Sequence, residues 1–261
     1  KAIPNDSGGG PWTSSHHRIG GMRPGEGNLI SGNNGGLSMN GFGADENLVL
    51  GNTVGLDANG KPLINNTGIG IDMGQTHAVI GGYTAAEGNT FYGGSISMRI
   101  SNNGVRAAYI AGNSITSPAG VGLMLGGPVE NFVQGNSFGK CGKNAVRIDY
   151  GTGNLLRANT FTGSKFDQMI LLLEGGNASL PAPAVTSAAG TAVSGTTMAF
   201  GLVEVYLSEN GSVTPLGFTV AGQDGNFAFT SAESLTGKQV LVLVSDTLGN
   251  TSGFSAPVKA N

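Results

Sequence analysis

Three histidines, sixteen carboxylates and one cysteine bound the chemistry open to this 261-residue chain. His16 and His77 are equivalent under a 61-residue internal offset, while His17 follows His16 directly. Read as three stacked coils of about 4.8 Å each, that offset separates His16 from His77 by about 14 Å. One zinc with bonds of about 2.1 Å cannot join them. His16 and His17 alone lack a third ligand nearby in sequence, so all three are read as polar residues at the start of a turn. Among the acids, Asp72 and Asp149 are expected at the same point of one strand series, with Arg99 and Met124 on the intervening coils. Three coils again give about 14 Å, too far for the paired carboxylates of a glycosidase, which need about 5–9.5 Å. Asp72 is better read as a surface ion pair with Arg99. Asp45 and Glu46 are adjacent and would point to opposite faces of a strand.

Cys141 cannot form an internal disulfide. Lys140 and Lys143 flank it and would lower its pKa if they approached the sulfur, but a packed thiol is the expectation. Asp246 and Asn250 could hold a cation; side-chain bonds that fix a turn are the preferred reading. Gly-rich phosphate motifs are absent, because strings such as Gly8-Gly9-Gly10 do not link a strand to a helix. The site residues are therefore none, whether catalytic, cofactor-binding or metal-binding, and no cofactor is expected.

The elements that would carry these groups are short strands. Glycine numbers 47, only 11% of residues are charged and 39% are hydrophobic. That composition fits neither disorder nor long helices. Placing residues 14–33 over 75–94 aligns His16, Ile19-Gly20-Gly21, Glu26-Gly27-Asn28 and Gly32 with identical partners, eight identities in twenty positions. A shorter pattern recurs at Leu29–Asn33, Leu48–Asn52, Tyr109–Asn113 and Phe132–Asn136, while 155–159 keeps only the Asn and 90–94 only the Gly. A second series alternates apolar with variable residues, as in Ile69-Gly70-Ile71-Asp72-Met73 and Val146-Arg147-Ile148-Asp149-Tyr150, the period of a strand with one buried face. Such repeats every 20 or so residues predict a β-solenoid. Leu29, Val49, Ile110, Val133 and Leu156 are its expected inward positions, and Asn33, Asn52, Asn113, Asn136 and Asn159 are expected to form a stacked amide ladder.

The strings "IGG…EGNLISGN", "ENLVLGNTVGLDANGKPLINNTGIGI" and "HAVIGG…EGN" resemble the right-handed parallel β-helix repeats of bacterial secreted and surface proteins. The resemblance covers roughly residues 14–175 and implies fold and compartment better than activity. After residue 175 the composition changes. "GQDGNFAF" and "LVLVSDTLGNTSGFS" are similar to bacterial Ig-like modules, with turn signals at Asn210-Gly211, Asp224-Gly225 and Gly249-Asn250. The fold class read here is all-β, a right-handed parallel β-helix followed by a small Ig-like β-sandwich. Its divisions are an N-terminal extension (1–15), the β-helix (16–176), a linker (177–183) and the sandwich (184–261).

The resemblance implies a secreted or cell-surface protein. The leading function is a non-catalytic structural protein, adhesin-like or a self-assembling fibre subunit. The alternatives are a pectate-lyase-like polysaccharide lyase or hydrolase, and a glycan-binding module. The last needs exposed aromatics in line along one face, for which Trp12 and a few tyrosines are available. Net charge is −3 and the 13 Lys and Arg are scattered, so nucleic acid is not an expected partner. The longest apolar run, 169–173, is too short for a membrane helix. The five N-x-S/T sequons are read as chance in an Asn-rich chain. The sequence opens at Lys1 without a hydrophobic leader, so any export signal was removed or lies outside it. The Gly/Pro/Ser-rich residues 1–15 should dock on the body or on a neighbour. Docking on a neighbour predicts head-to-tail self-association into oligomers or fibres; a surface glycan is the other partner considered.

Overall fold

The computed structural model describes residues 5–6, 8–10, 14–39, 45–65, 69–74, 77–101, 106–127 and 130–261. Its strands, β1 to β25 in chain order, form a parallel β-solenoid followed by an antiparallel unit. Three solenoid sheets are each six strands deep, spanning about five turns. Sheet I contains β1 (Arg18–Gly20), β4 (Leu48–Leu50), β7 (Val79–Gly81), β10 (Tyr109–Ala111), β13 (Phe132–Gln134) and β16 (Leu155–Arg157). Sheet II contains β2 (Leu29–Ile30), β5 (Thr53–Val54), β8 (Thr90–Tyr92), β11 (Ser114–Ser117), β14 (Ser137–Cys141) and β17 (Thr160–Thr162). Sheet III contains β3 (Leu37–Met39), β6 (Ile69–Met73), β9 (Ile96–Ser101), β12 (Val121–Gly126), β15 (Val146–Asp149) and β18 (Ile170–Leu173).

Side chains alternate in and out, so each sheet sends like residues inward in columns. Val49, Ile80, Ile110, Val133 and Leu156 are buried from sheet I, and Val54, Phe91, Ile115, Phe138 and Phe161 from sheet II. The Phe138 and Phe161 rings stack at 5.3 Å. Sheet III contributes two inward columns, including Ile71, Met98 and Leu123, and Met73, Ile100 and Ile148.

The register corrects three expectations. The first coils are longer than the repeat suggests: Arg18 pairs with Leu48 and Leu48 with Val79, so the 61-residue offset spans two coils rather than three. Leu29-Ile30 belongs to sheet II, where it pairs with Thr53-Val54, and is not equivalent to Leu48–Leu50. Consequently Ile30 is the buried residue, while Leu29 is 52% exposed. Asn33 drops out of the amide ladder for the same reason, and Asn28 takes the corresponding place.

The ladder itself runs Asn28, Asn52, Asn89, Asn113, Asn136, Asn159. At each step an Asn backbone N–H and Nδ2 donate to the Oδ1 of the next, at 2.9–3.1 Å along Asn89–Asn113–Asn136 (3.1 and 2.9 Å, then 3.0 and 2.9 Å). Before Asn52, Asn113 and Asn136 the preceding residue turns the corner with positive φ, Gly51 at 64°, Gly112 at 63° and Gly135 at 62°; glycine adopts that geometry without a Cβ clash. Ala158, before Asn159, adopts φ 49° without that freedom. A second ladder, Asn131–Asn154–Asn177, lines the opposite end of sheet I.

The segment assigned as an N-terminal extension lies along its own chain where described. Gly9 forms a parallel bridge with Leu37. Gly8 N–H donates to Gly36 O (3.0 Å), and Gly9 O accepts from Ser38 N–H (3.1 Å). The segment thereby extends the edge of sheet III on the same molecule.

In the C-terminal unit, β22 (Ser212–Val220), β21 (Leu202–Glu209), β24 (Gln239–Ser245) and β25 (Val258–Lys259) form an antiparallel sheet, and β19 (Ala184–Ala189), β20 (Ala192–Thr196) and β23 (Asn226–Thr230) form another. The β21–β22 hairpin turns at Asn210 and Gly211, both with positive φ, as a two-residue Asn-Gly turn requires. The two units share one sheet, because β22 pairs antiparallel with β17. The larger C-terminal sheet is buried on both faces. Tyr206, Leu241 and Leu243 join the solenoid core, and Val203, Val205, Val242 and Val244 join a second core against β20 and β23. The residues read as a linker begin with Asn177, which is fully buried in the second ladder.

Candidate functional site

The chemically capable residues are held apart and satisfied locally. His16 and His77 take left-handed corner positions before β1 and β7, with Glu46 in that position on the coil between. His16 Nε2 meets Glu46 Oε2 at 2.9 Å, and His77 Nδ1 meets Asp45 Oδ1 at 3.1 Å. Asp45 and Glu46 lie in a corner rather than a strand and each reaches a different coil. Two coils still separate the imidazoles by about 10 Å. His17 Nε2 contacts Ser14 Oγ at 2.8 Å. Among the described residues no three His, Cys, Asp or Glu side chains gather as metal ligands.

Asp72 pairs with Arg99 on the next coil, as expected: Arg99 Nε donates to Oδ1 at 2.9 Å, and a second guanidinium nitrogen contacts Oδ2. The carboxylate raises the Arg99 pKa. The proposed equivalence of Asp72 and Asp149 is corrected by the register. Arg99 opposes Met124 and Met124 opposes Arg147, so Arg147 continues the column. Asp149 lies two residues further along β15, where Arg147 Nε donates to it at 2.8 Å. Each acid is thus committed to its own arginine, three coils apart.

Cys141 is buried, and desolvation pushes its thiol up to about 11. The flanking lysines do not offset this. Asp246 Oδ1 accepts the N–H groups of Leu248 (2.9 Å) and Asn250 (2.8 Å), while its Oδ2 accepts from Asn250 Nδ2 (2.8 Å). Asn250 Oδ1 in turn accepts Gly153 N–H at 2.7 Å. These two residues fix a turn and fasten it to the solenoid.

The surface that stands out is the outer face of sheet I. The residue before each buried one, Leu48, Val79, Tyr109, Phe132 and Leu155, points outward and is half-buried. Tyr109 and Phe132 stack with centroids 5.5 Å apart, and Tyr83, 81% exposed, lies 5.6 Å from Tyr109. Burial, reinforced by Tyr83 and Glu87, holds the Tyr109 phenol well above the usual tyrosine range. At the C-terminal end of the same sheet Arg157 stacks on Phe218, 5.1 Å from its ring centre, and Phe218 is itself exposed. Sequence reasoning passed over this face, although its signal is present: the strands "LVL", "VIG", "YIA", "FVQ" and "LLR" are apolar on both sides of the alternation at several coils. Trp12 lies outside the described residues.

Compared with protein-family models the chain matches none, and no curated protein matches it in sequence. No helix among the described residues is long and apolar enough to cross a membrane.

Proposed function

We propose that this chain is a non-catalytic structural protein of the adhesin type, secreted or held at a bacterial surface, built as a right-handed β-helix with an immunoglobulin-like C-terminal module. The observation that carries the reading is the outer face of sheet I. A solenoid face normally carries polar side chains toward water; here a row of apolar and aromatic residues crosses coil after coil, the composition of a contact surface. The acids weighed as catalytic or cation-binding groups, Asp45, Glu46, Asp72, Asp149 and Asp246, are by contrast bound to arginine, histidine or backbone N–H groups, which supports binding over hydrolysis or elimination. Of the two structural forms considered, adhesin-like is favoured over fibre-forming, because the C-terminal unit occupies one end of the solenoid and residues 8–10 lie on their own sheet.

A glycan is the partner that the row Tyr83–Tyr109–Phe132 favours, since aromatic rings offer apolar faces with a polar handle. The test is retention of the purified protein on insoluble polysaccharides, with Tyr83→Ala as control, alongside assays for new reducing ends and unsaturated products. Retention that weakens in the variant, without products, is expected. Product formation by the intact chain would overturn the non-catalytic reading.

A further inference from the structure

The ends of the solenoid are complementary in hydrogen bonding, and among the described residues only the C-terminal end is covered by another unit. Between the ladder amides the bonds run one way, each Asn donating to the next Oδ1 and accepting from the Asn before it, while Nδ2 also reaches back to a carbonyl of the preceding coil, as from Asn113 to Ile80 O (2.9 Å). Asn28, on the first coil, donates to Asn52 Oδ1 through N–H (3.1 Å) and Nδ2 (2.9 Å). Its own Oδ1 receives no donor among the described residues. Asn159, on the last coil, has no further Asn to receive its N–H.

The C-terminal unit fills that vacancy with acceptors. The Tyr206 hydroxyl lies beside Asn159 and donates to Glu204 Oε2 at 3.0 Å. Glu204, 4% exposed, accepts Ala158 N–H at 3.2 Å on both oxygens and Arg157 Nε at 3.2 Å. Thr251 Oγ1 accepts Leu156 N–H at 2.9 Å, and Thr251 O accepts from Asn177 Nδ2 at 3.0 Å, ending the second ladder. β22 takes the edge of β17, and Phe254 packs edge-on against Phe161 at 5.5 Å. Glu204, Tyr206 and Thr251 therefore stand where the polar groups of a following coil would stand.

We infer that the C-terminal unit is an assembly stop: it covers a surface whose matching partner is the first coil of a second copy of this chain. A second copy is the fitting occupant because it alone among the surfaces described here offers a free Asn28 Oδ1 in the ladder position. Its edge strands β1 and β2 would continue sheets I and II, and the half-buried Ile19 would meet the last coil of the first copy. An uncovered edge of this kind invites strand addition, and the contact, being head-to-tail, would propagate. Closing the donor end keeps the chain from polymerising.

The experiment uses the full chain. Glu204→Lys combined with Tyr206→Ala should release the unit, read as faster amide exchange in β17 and β22, with Glu204→Gln as the conservative control. Gly163→Pro removes the N–H that donates to Gly211 O (2.9 Å) at a position with φ 71° that proline cannot adopt, and so breaks the β17–β22 pairing independently, in case the first variant does not fold. Sedimentation velocity should then show concentration-dependent oligomers for either released variant and a monomer for the parent and Glu204→Gln. Adding Asn28→Lys to a released variant should restore the monomer. The inference is overturned by a released variant that stays monomeric, by association indifferent to Asn28→Lys, or by exchange in β17 and β22 unchanged in both variants. Polysaccharide retention on sheet I is a separate readout, so this inference and the adhesin reading can fail independently.

Discussion

Asn113→Ala tests whether the amide ladder is a structural spine. Asn113 is buried, donates Nδ2 to Ile80 O (2.9 Å), Ala111 O (3.0 Å) and Asn136 Oδ1 (2.9 Å), and accepts from Asn89 N–H (3.1 Å) and Nδ2 (2.9 Å). Alanine leaves the Asn89 N–H without its acceptor inside the protein, which costs about 1–3 kcal/mol. The remaining lost bonds add about 1 kcal/mol, for a total of about 2–4 kcal/mol. Asn28→Ala removes one side-chain donor at an exposed end, and Asn52 Oδ1 keeps the Asn28 backbone N–H, so its cost should stay under about 1 kcal/mol. The gap corresponds to roughly a hundredfold in the folding equilibrium. Urea unfolding followed by circular dichroism compares the midpoints, the safer quantity where solenoid coils can unravel in steps. Equal midpoints for the two variants would refute the reasoning, because they would show that interior and terminal rungs contribute alike.

Other substitutions probe different parts of the argument. Ile148→Asp places a charge at a fully buried position and should prevent stable folding, seen as loss of the cooperative thermal transition. Ala158→Gly should raise the urea midpoint slightly, since Ala158 adopts φ 49° and a left-handed residue with a Cβ costs about 1–2 kcal/mol, partly offset by the entropy of glycine in the unfolded chain. The Cys141 thiol should resist thiol reagents near neutral pH until denaturant is added. Because its folded pKa is raised from the ordinary 9.0 to about 11, its contribution to stability is complete below pH 9.0 and is lost as pH rises toward 11; a pH titration of the urea midpoint checks the sign.

The solenoid was legible because its coils repeat, and period-2 alternation in strands such as β6 and β15 identifies the inward residues directly. The register was harder to read for a physical reason. "LISGN" and "LVLGN" look alike because both lead a short strand into a left-handed turn, yet one occupies sheet II and the other sheet I. Loops cause the confusion by lengthening the early coils. Between Gly82 and Gly88, Glu87 folds back to accept Thr84 N–H at 2.8 Å, and between 55 and 63 the chain doubles back through a Leu56–Pro62 bridge. Arg18 and Leu48 are therefore 30 residues apart, while Phe132 and Leu155 are 23 apart. The strands at 226–230 and 239–245 stand where the alternation and turn signals placed them. The joining of β22 to β17, and the burial of Glu204 beneath Arg157, involve residues some 50 positions apart, and no local pattern announces them.

The β17–β22 junction also sets how the molecule answers a pull. Backbone hydrogen bonds between coils run parallel to the solenoid axis, so tension along that axis loads them in line, one coil interface after another. Most interfaces share the load over three sheets. At the C-terminal joint the backbone pairing narrows to Phe161 with Val213 and Thr162 with Ser212, plus the Gly163 N–H to Gly211 O bond (2.9 Å), backed by the side-chain contacts of Glu204 and Thr251. Under traction the joint should yield before the coils do, so the solenoid would remain intact as a rod after its terminal unit has swung away.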